Sequence, residues 1–365
     1  MKLQDLTLRM VRLPLIQPYV LSYRTFTEFE PIIVEVRDAD GRIGWGEGHI
    51  SPGSSSETRE GGWEFCREYA AAAVGKDTVQ AKAMIAANLD TSKVAATALL
   101  TAIEMLEDHP LLRVDREVKL PLLTPFNSST PKEIEEEVEQ RLRDGFRTFK
   151  IKVGKDADAD AKRVKAIQHA IAGRATMRID ANRAYVEADA SRFASSLDPS
   201  GIELFEQPCH SDDWDANASV AKVSTVPIML DEPICGLEDI ERAADIPNVG
   251  FCKLKLKRFG SLDALKQALE RVRELGMEPV LGDGISSDLQ CWMEGCVARH
   301  VIRNAGEFNG FLKPKARLFV EPLRFAAGEL VLAAGYTPTI DADVLAAHEL
   351  ARERFSRRST EAGSR

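Results

Sequence analysis

Short apolar runs separated by turns fill the first 50 residues. Ile32-Ile33-Val34-Glu35-Val36 reads as a strand, Asp40-Gly41 as a hairpin turn, and Ile43-Gly44-Trp45-Gly46 as the returning strand. The Gly/Ser-rich run SPGSSSETREGGW over 51–63 predicts a mobile loop. Residues 64–108 are Ala-rich and read as helical. This first stretch therefore predicts an α+β unit, a meander followed by helices.

From about residue 120 the pattern changes to alternating strand-like and helix-like segments. Leu120-Pro-Leu-Leu-Thr124 reads as a short strand. Thr130-Pro131-Lys132-Glu133 then opens a helix with a capping box and Pro in its first position. Ile134, Val138 and Leu142 share one face of that helix, and Gly145 ends it. The strand Thr148–Val153 and an Ala-rich helix to Gly173 come next. Further strand-like runs are Met177–Asp180, Ile202–Glu206, Pro227–Asp231, Gly250–Lys255 and Glu278–Gly282. A strand–helix period of about 25 residues, held through seven or eight rounds, predicts a (β/α) barrel rather than a sandwich or bundle. Leu330-Val-Leu and Thr337-Pro-Thr-Ile read as strands that could return to the first unit. The polar stretch Arg352–Arg365 reads as a frayed tail.

The ends of the barrel strands carry the chemistry. Functional groups of a parallel barrel sit at the C-terminal ends of its strands. Lys152 ends the second strand, Asp180, Glu206 and Asp231 end the third to fifth, Lys255 ends the sixth, and Asp283 follows the seventh. Three carboxylates at one mouth repel one another unless a cation sits among them. With hard oxygen donors and no His or Cys at these positions, Mg2+ is expected rather than Zn2+. The lysines come one strand before and one strand after the acids, which places them on opposite sides of a closed barrel. Two such bases facing a metal-bound carboxylate suit removal of its α-proton through an enediolate. A single strand-end acid is more often a cap or a surface charge, and Lys150, Lys253 and Lys257 read equally well as salt-bridged residues. The whole ordered set is hard to reach by coincidence.

The chain has 365 residues, 44% of them hydrophobic and 29% charged, and a formal net charge of −9. That balance, with no basic stripe, argues against nucleic acid and anionic membrane surfaces as partners. No run reaches the roughly 18 apolar residues of a membrane span, and the N-terminus lacks a signal-peptide core. The six cysteines show no C-x-x-C spacing and read as reduced packing residues, so a cytoplasmic location is expected.

These motifs resemble the enolase superfamily, in its muconate-lactonizing-enzyme-like (mandelate racemase/muconate lactonizing enzyme) subgroup. Phe149-Lys150-Ile151-Lys152-Val153-Gly154 is similar to that family's K-x-K strand, whose second lysine is a base. Ile179-Asp180-Ala181-Asn182, Phe205-Glu206-Gln207-Pro208 and Leu230-Asp231-Glu232-Pro233 are similar to its three metal-ligand strands. The resemblance covers nearly the whole chain. It implies an α/β fold, a (β/α)7β modified TIM barrel with an α+β capping domain. The boundaries expected are 1–118 for the N-terminal part of the cap, 119–320 for the barrel, and 321–365 for a segment returning to the cap. It also implies Mg2+ held by Asp180, Glu206 and Asp231, with Lys152 and Lys255 as the acid/base pair. Lys150, Asn182 and Glu232 would support them. Lys255 fits the family's run to Gly260-Ser261 best, but Lys253 shares its face and stays open as the alternative. The His-Asp pair of the mandelate-racemase-like subgroup is missing, since no His occurs between 211 and 299. Enolase itself lacks the K-x-K strand.

The resemblance implies a small-molecule carboxylate substrate and a homo-oligomer. Tyr19, Tyr23 and Arg24 are the expected binding residues of one cap loop, with 50–62 as a lid. Arg24 could clamp an anionic group or lie at the surface. Gly306-Glu307-Phe308-Asn309-Gly310 stands where dipeptide epimerases of the subgroup carry D-x-D. Asp283, Glu307 and Asn309 are accordingly expected near the substrate, with Asp283 and Glu307 facing a cationic nitrogen. A racemase or epimerase of an amino-acid derivative is the leading expectation. A lyase, such as a dehydratase acting on a hydroxy-imino acid or a cycloisomerase, is the second. A non-catalytic metal-binding barrel and a Schiff-base aldolase built on Lys255 are remote alternatives.

Overall fold

The structure is a computed structural model that describes residues 1–21, 24–53 and 55–357. Strands β1 (Leu3–Val11), β2 (Leu13–Val20), β3 (Thr25–Phe29), β4 (Ile32–Asp38) and β5 (Ile43–Gly48) come first. β6 (Val118–Pro121) precedes seven strands: β7 (Thr124–Phe126), β8 (Thr148–Lys152), β9 (Thr176–Asp180), β10 (Ile202–Glu206), β11 (Ile228–Leu230), β12 (Val249–Leu254) and β13 (Glu278–Leu281). β14 (Arg324–Ala326), β15 (Glu329–Leu332) and β16 (Glu349–Ser356) come last.

β7 to β13 form one parallel sheet in sequence order. Each strand returns through a helix on the outside, which a parallel connection requires. On β8 the alternation sends Phe149 and Ile151 into the apolar layer and Lys150 and Lys152 to the other face. The helix Pro131–Arg143 between β7 and β8 has the expected capping box of Thr130 and Glu133. The sheet closes through the segment at Gly306. Gly306 N donates to Pro121 O, Leu123 N donates to Gly306 O, and Glu307 N donates to Leu281 O, each at 2.8–3.0 Å. Gly282 permits this approach: its φ is +122°, and a Cβ there would run into the backbone of Phe308. The result is a curled barrel with a second, antiparallel sheet beside it.

That second sheet has the order β16–β1–β4–β5. The helix Lys93–Leu106 lies directly on β5. A Cβ on Gly46 would collide with Ala98 O, and one on Gly48 would come within 2.6 Å of Val94 O. The glycine stripe therefore sets the helix–sheet distance. Elsewhere the sheet unit is tied to the barrel by buried polar bonds. Glu47 accepts from Ser287 N, Ser287 Oγ and Gln290 N, which satisfies the N-terminus of the helix Asp288–Val301. Glu104 accepts from Leu262 N.

Three local expectations are corrected. The helical region 64–108 is broken twice, at Gly75 with its φ of +83° and around Leu89–Thr91, giving helices Arg59–Ala73, Thr78–Ala86 and Lys93–Leu106. Thr337–Ile340 is not a strand; it contributes a single bridge from Ile340 to Phe319. The polar segment from Glu349 is a strand through Ser356, pairing antiparallel with β1 from Leu6↔Phe355 onwards. It is an edge strand with one face in solvent, so its sequence carries no apolar run.

Candidate active site

Register brings the strand ends together. Lys152 pairs with Asp180, and Asp180 with Glu206, as direct neighbours on β8, β9 and β10. Asp231 stands one residue past β11 and Lys255 one past β12. Lys152, Asp231 and Lys255 line a cavity of about 520 Å³ between this mouth and the loops of the sheet unit, and Glu232, Asp283, Glu307, Asn182 and Tyr19 line it too.

The lysines fall into an inner and an outer pair. Lys150 and Lys253 are 3% and 2% exposed at the side chain, against 18% for Lys152 and 12% for Lys255. Lys150 Nζ lies 2.9 Å from Asp180 Oδ2, 2.7 Å from Glu206 Oε2 and 2.9 Å from Glu307 Oε2. Lys253 Nζ lies 3.2 Å from Glu206 Oε1 and also pairs with Glu307. The outer pair is less enclosed: Lys152 Nζ reaches Asp180 Oδ2 at 2.5 Å and Asn182 Oδ1 at 2.8 Å, and Lys255 Nζ reaches Asp231 Oδ2 at 2.9 Å. Asn182 also donates from its backbone N–H to Asp180 Oδ1 at 2.8 Å, in a left-handed conformation that turns the chain straight after the strand.

These charges move one another's protonation. Burial pushes the Asp180 carboxyl up, but Lys150, Lys152 and Lys253 outweigh it and hold it at about 2. Asp231 is likewise buried, yet Lys255 and Arg258 keep it well below the carboxylate range. Burial lowers Lys152 against the pull of Asp180, whereas at Lys255 the charge of Asp231 overcomes burial and raises it. Glu232 is pushed up to about 7 by burial and by the Asp231 charge.

The donor set fits a hard divalent cation. Asp180, Glu206 and Asp231 are buried on three adjacent strands and offer only carboxylate oxygens. Glu206 Oε2 has no well-directed hydrogen bond although Lys150 is close, and Glu232 Oε2 has none either. Among the described residues no three Asp, Glu, His or Cys side chains stand drawn together as a finished shell; ammonium groups neutralise the acids instead.

Several residues outside the expected set support these acids. Gln207 Oε1 accepts from Asp231 N at 2.9 Å. Arg258 Nη1 bonds Asp231 O and, at 2.9 Å, Asp231 Oδ1. Arg183 lies 3.4 Å from Glu232 and donates to Gly53 O at 2.9 Å, tying the 51–57 loop to the mouth. The middle residue of E-Q-P was a visible signal for Gln207; nothing in the spacing singled out Arg258.

Other expectations change. Tyr23 lies outside the described residues. Arg24 is exposed, with its guanidinium 5.2 Å from the Phe26 ring centroid, and does not line the cavity. Asn309 turns away from the cavity, donating to Leu123 O and accepting from Lys313 Nζ. Asp283 and Glu307 do line it, but each faces lysine: Asp283 pairs with Lys257, and Glu307 with Lys150 and Lys253.

The family model described as Enolase C-terminal domain-like matches residues 133–344, the stretch holding all of these strand ends. The chain belongs to the enolase superfamily. This superfamily chain is similar to N-succinyl-L-Arg/Lys racemase of Bacillus cereus, 23% identical over 79% of this chain and 82% of that one. It is also similar to o-succinylbenzoate synthase of Geobacillus kaustophilus, 28% identical over 74% of each. Its fold superposes on a dipeptide epimerase from Cytophaga hutchinsonii, complexed with Mg and D-Ala-L-Val. That match has a TM-score of 0.87 at 20% identity and covers 98% of this chain and 100% of that one. The protein is thus an enolase-superfamily enzyme, an isomerase or lyase of the mandelate racemase/muconate lactonizing enzyme subgroup. No helix among the described residues is long and apolar enough to cross a membrane.

Proposed function

We propose that the protein is a Mg2+-dependent racemase or epimerase acting at the α-carbon of an amino-acid derivative. The observation that carries this reading is the outer lysine pair, with Lys152 and Lys255 lining one cavity and flanking the three carboxylate strand ends. Lys253 is a weaker choice for the second base, because it is locked between Glu206 and Glu307.

A divalent cation held by Asp180, Glu206 and Asp231 would set positive charge against the substrate carboxylate and make its α-proton more acidic. Lys152 takes the α-proton from one face; the C–H electron pair moves toward the carboxylate. Lys255 returns a proton to the opposite face, and the reverse reaction exchanges the two roles. Asn182 holds Lys152 Nζ beside Asp180, and Arg258 with Gln207 fixes the strand end that carries Asp231. The racemase and epimerase names among the similar proteins support an amino-acid derivative as substrate.

The test is Mg2+-dependent exchange of the α-proton in D2O, followed by NMR across N-acyl amino acids, dipeptides, hydroxyprolines and sugar acids. Exchange with intact connectivity is expected, lost for one enantiomer in Lys152→Ala and for the other in Lys255→Ala, with interconversion of the two abolished in either variant. Loss of a hydroxyl would mark a lyase instead, and exchange undiminished in both variants would overturn the two-base reading.

A further inference from the structure

The cavity wall at the ends of β13 and of the closing segment carries two carboxylates, Asp283 and Glu307. Both are buried, and both are already matched by buried lysines. A substrate ammonium seeking Glu307 would have to displace Lys150 or Lys253. The displaced lysine would have no acid left to it except Asp180 or Glu206, which the proposed cation also needs. An ammonium at Asp283 would meet Lys257, whose Nζ is also within 3.4 Å of His49 O. Like charges brought together in a low-dielectric wall repel strongly. Asp283 Oδ2 accepts no well-directed hydrogen bond, but its charge is matched by Lys257; Glu232 Oε2, which accepts none either, belongs to the strand end beside Asp231 and not to this wall.

Beside these ion pairs the wall offers one neutral hydrogen-bond donor. Tyr19 reaches it from β2, with its hydroxyl so close to Gly284 that a Cβ there would stand 2.7 Å away. Lys313 holds the ring in place: its Nζ is 4.7 Å from the Tyr19 centroid and donates to Gly284 O and Asn309 Oδ1, each at 2.8 Å. Burial and the nearby Glu307 raise the Tyr19 phenol well above its ordinary value, so it stays a neutral O–H donor. Ile285 and Leu21 are the apolar side chains that line the cavity beside these residues.

Resting on the epimerase reading above, we propose that the substrate is an N-acyl amino acid whose acyl group is uncharged where it meets this wall, with Tyr19 donating to the acyl oxygen. A dipeptide, which places an ammonium on the same side, is rejected.

The deciding comparison uses matched pairs, N-propionyl and L-alanyl derivatives of the same acidic, basic and apolar amino acids. The two members of a pair differ by one ammonium group. With Mg2+ in D2O, the propionyl member is expected to exchange its α-proton with a kcat/KM about 100-fold or more above the alanyl member. Tyr19→Phe is expected to cut kcat/KM for the propionyl member about 10-fold through a lost hydrogen bond, without lowering the melting temperature. Equal rates within pairs, or faster alanyl members, would overturn the inference and leave the α-proton chemistry standing. Exchange with neither member of any pair, when another carboxylate in the wider panel does exchange, would sink the amino-acid reading and this inference together. An unchanged kcat/KM in Tyr19→Phe would remove Tyr19 from the wall's recognition.

Discussion

Lys150 and Lys152 differ by two positions, share a strand face and both border the cavity, yet Lys150 is held among three acids and is the more deeply buried. Position along the strand, not residue type, separates the deeply buried lysine from the more exposed one. The same holds for the groups behind the acids. Gln207 accepts from the backbone N–H of Asp231, so Gln207→Leu should loosen that strand end. Mg2+ affinity measured by titration calorimetry is expected to fall about 10- to 100-fold, the usual effect of losing a partner behind a ligand. Glu104 gives a pH prediction. Burial pushes its carboxyl up to about 8 despite the bond from Leu262 N. Between the ordinary carboxyl range and pH 8 the folded chain holds a proton that the unfolded chain has lost, so stability drops as pH rises through this window. Glu104→Gln is expected to flatten the fall in melting temperature from pH 5 to 8, and an equally steep fall would refute the assignment. At this scale the sequence showed the strand-end acids and lysines, because each ends a recognisable apolar run. It did not show Arg258 or Lys313, whose roles depend on what folds against them. It also suggested open faces for Asp283 and Glu307, since a motif read one strand at a time does not reveal the lysine opposite.

Elements were legible in proportion to their burial. β8 to β13 are apolar runs at a steady period and lie within a residue or two of where the pattern placed them. β16 was missed because an edge strand in solvent needs no apolar alternation. Gly44 and Gly46 were visible as part of a returning strand, but their purpose, like that of Gly48, appears only with the helix Lys93–Leu106 laid on them. Gly46→Val should push that helix off the sheet and destabilise the protein by about 1–3 kcal/mol, as overpacking does. Urea unfolding measures this, and a midpoint equal to wild type would show that the helix can shift freely. The 50–62 loop was expected to be a lid, and Arg183 bonds Gly53 O within it.

At the scale of the whole molecule, buried polar bonds cross between the sheet unit and the barrel. Glu47 satisfies the buried helix at Ser287, Glu104 meets Leu262, and Lys257 reaches His49 O. Breaking the two halves apart would leave each of these groups buried without its partner or newly wet. A single unfolding transition is therefore expected. Trp45 and Trp63 report the sheet unit, and Trp214 and Trp292 the barrel. Urea curves of variants keeping only one pair of tryptophans should coincide; separated midpoints would show two independent folding units. The alternation of strand and helix made the barrel readable from the chain, whereas the pairing of its two ends was only a suggestion, because nothing local records a contact spanning the entire sequence. That pairing has a consequence for biosynthesis. Leu6 is synthesised long before its partner Phe355, so β1 waits through synthesis of the whole barrel before it gains its outer neighbour. During that wait β1 presents an unpaired backbone edge, a place where nascent chains can aggregate or a chaperone can hold them. A prematurely terminated chain would keep all its strand-end acids and lysines and still lack the strand that seals this sheet.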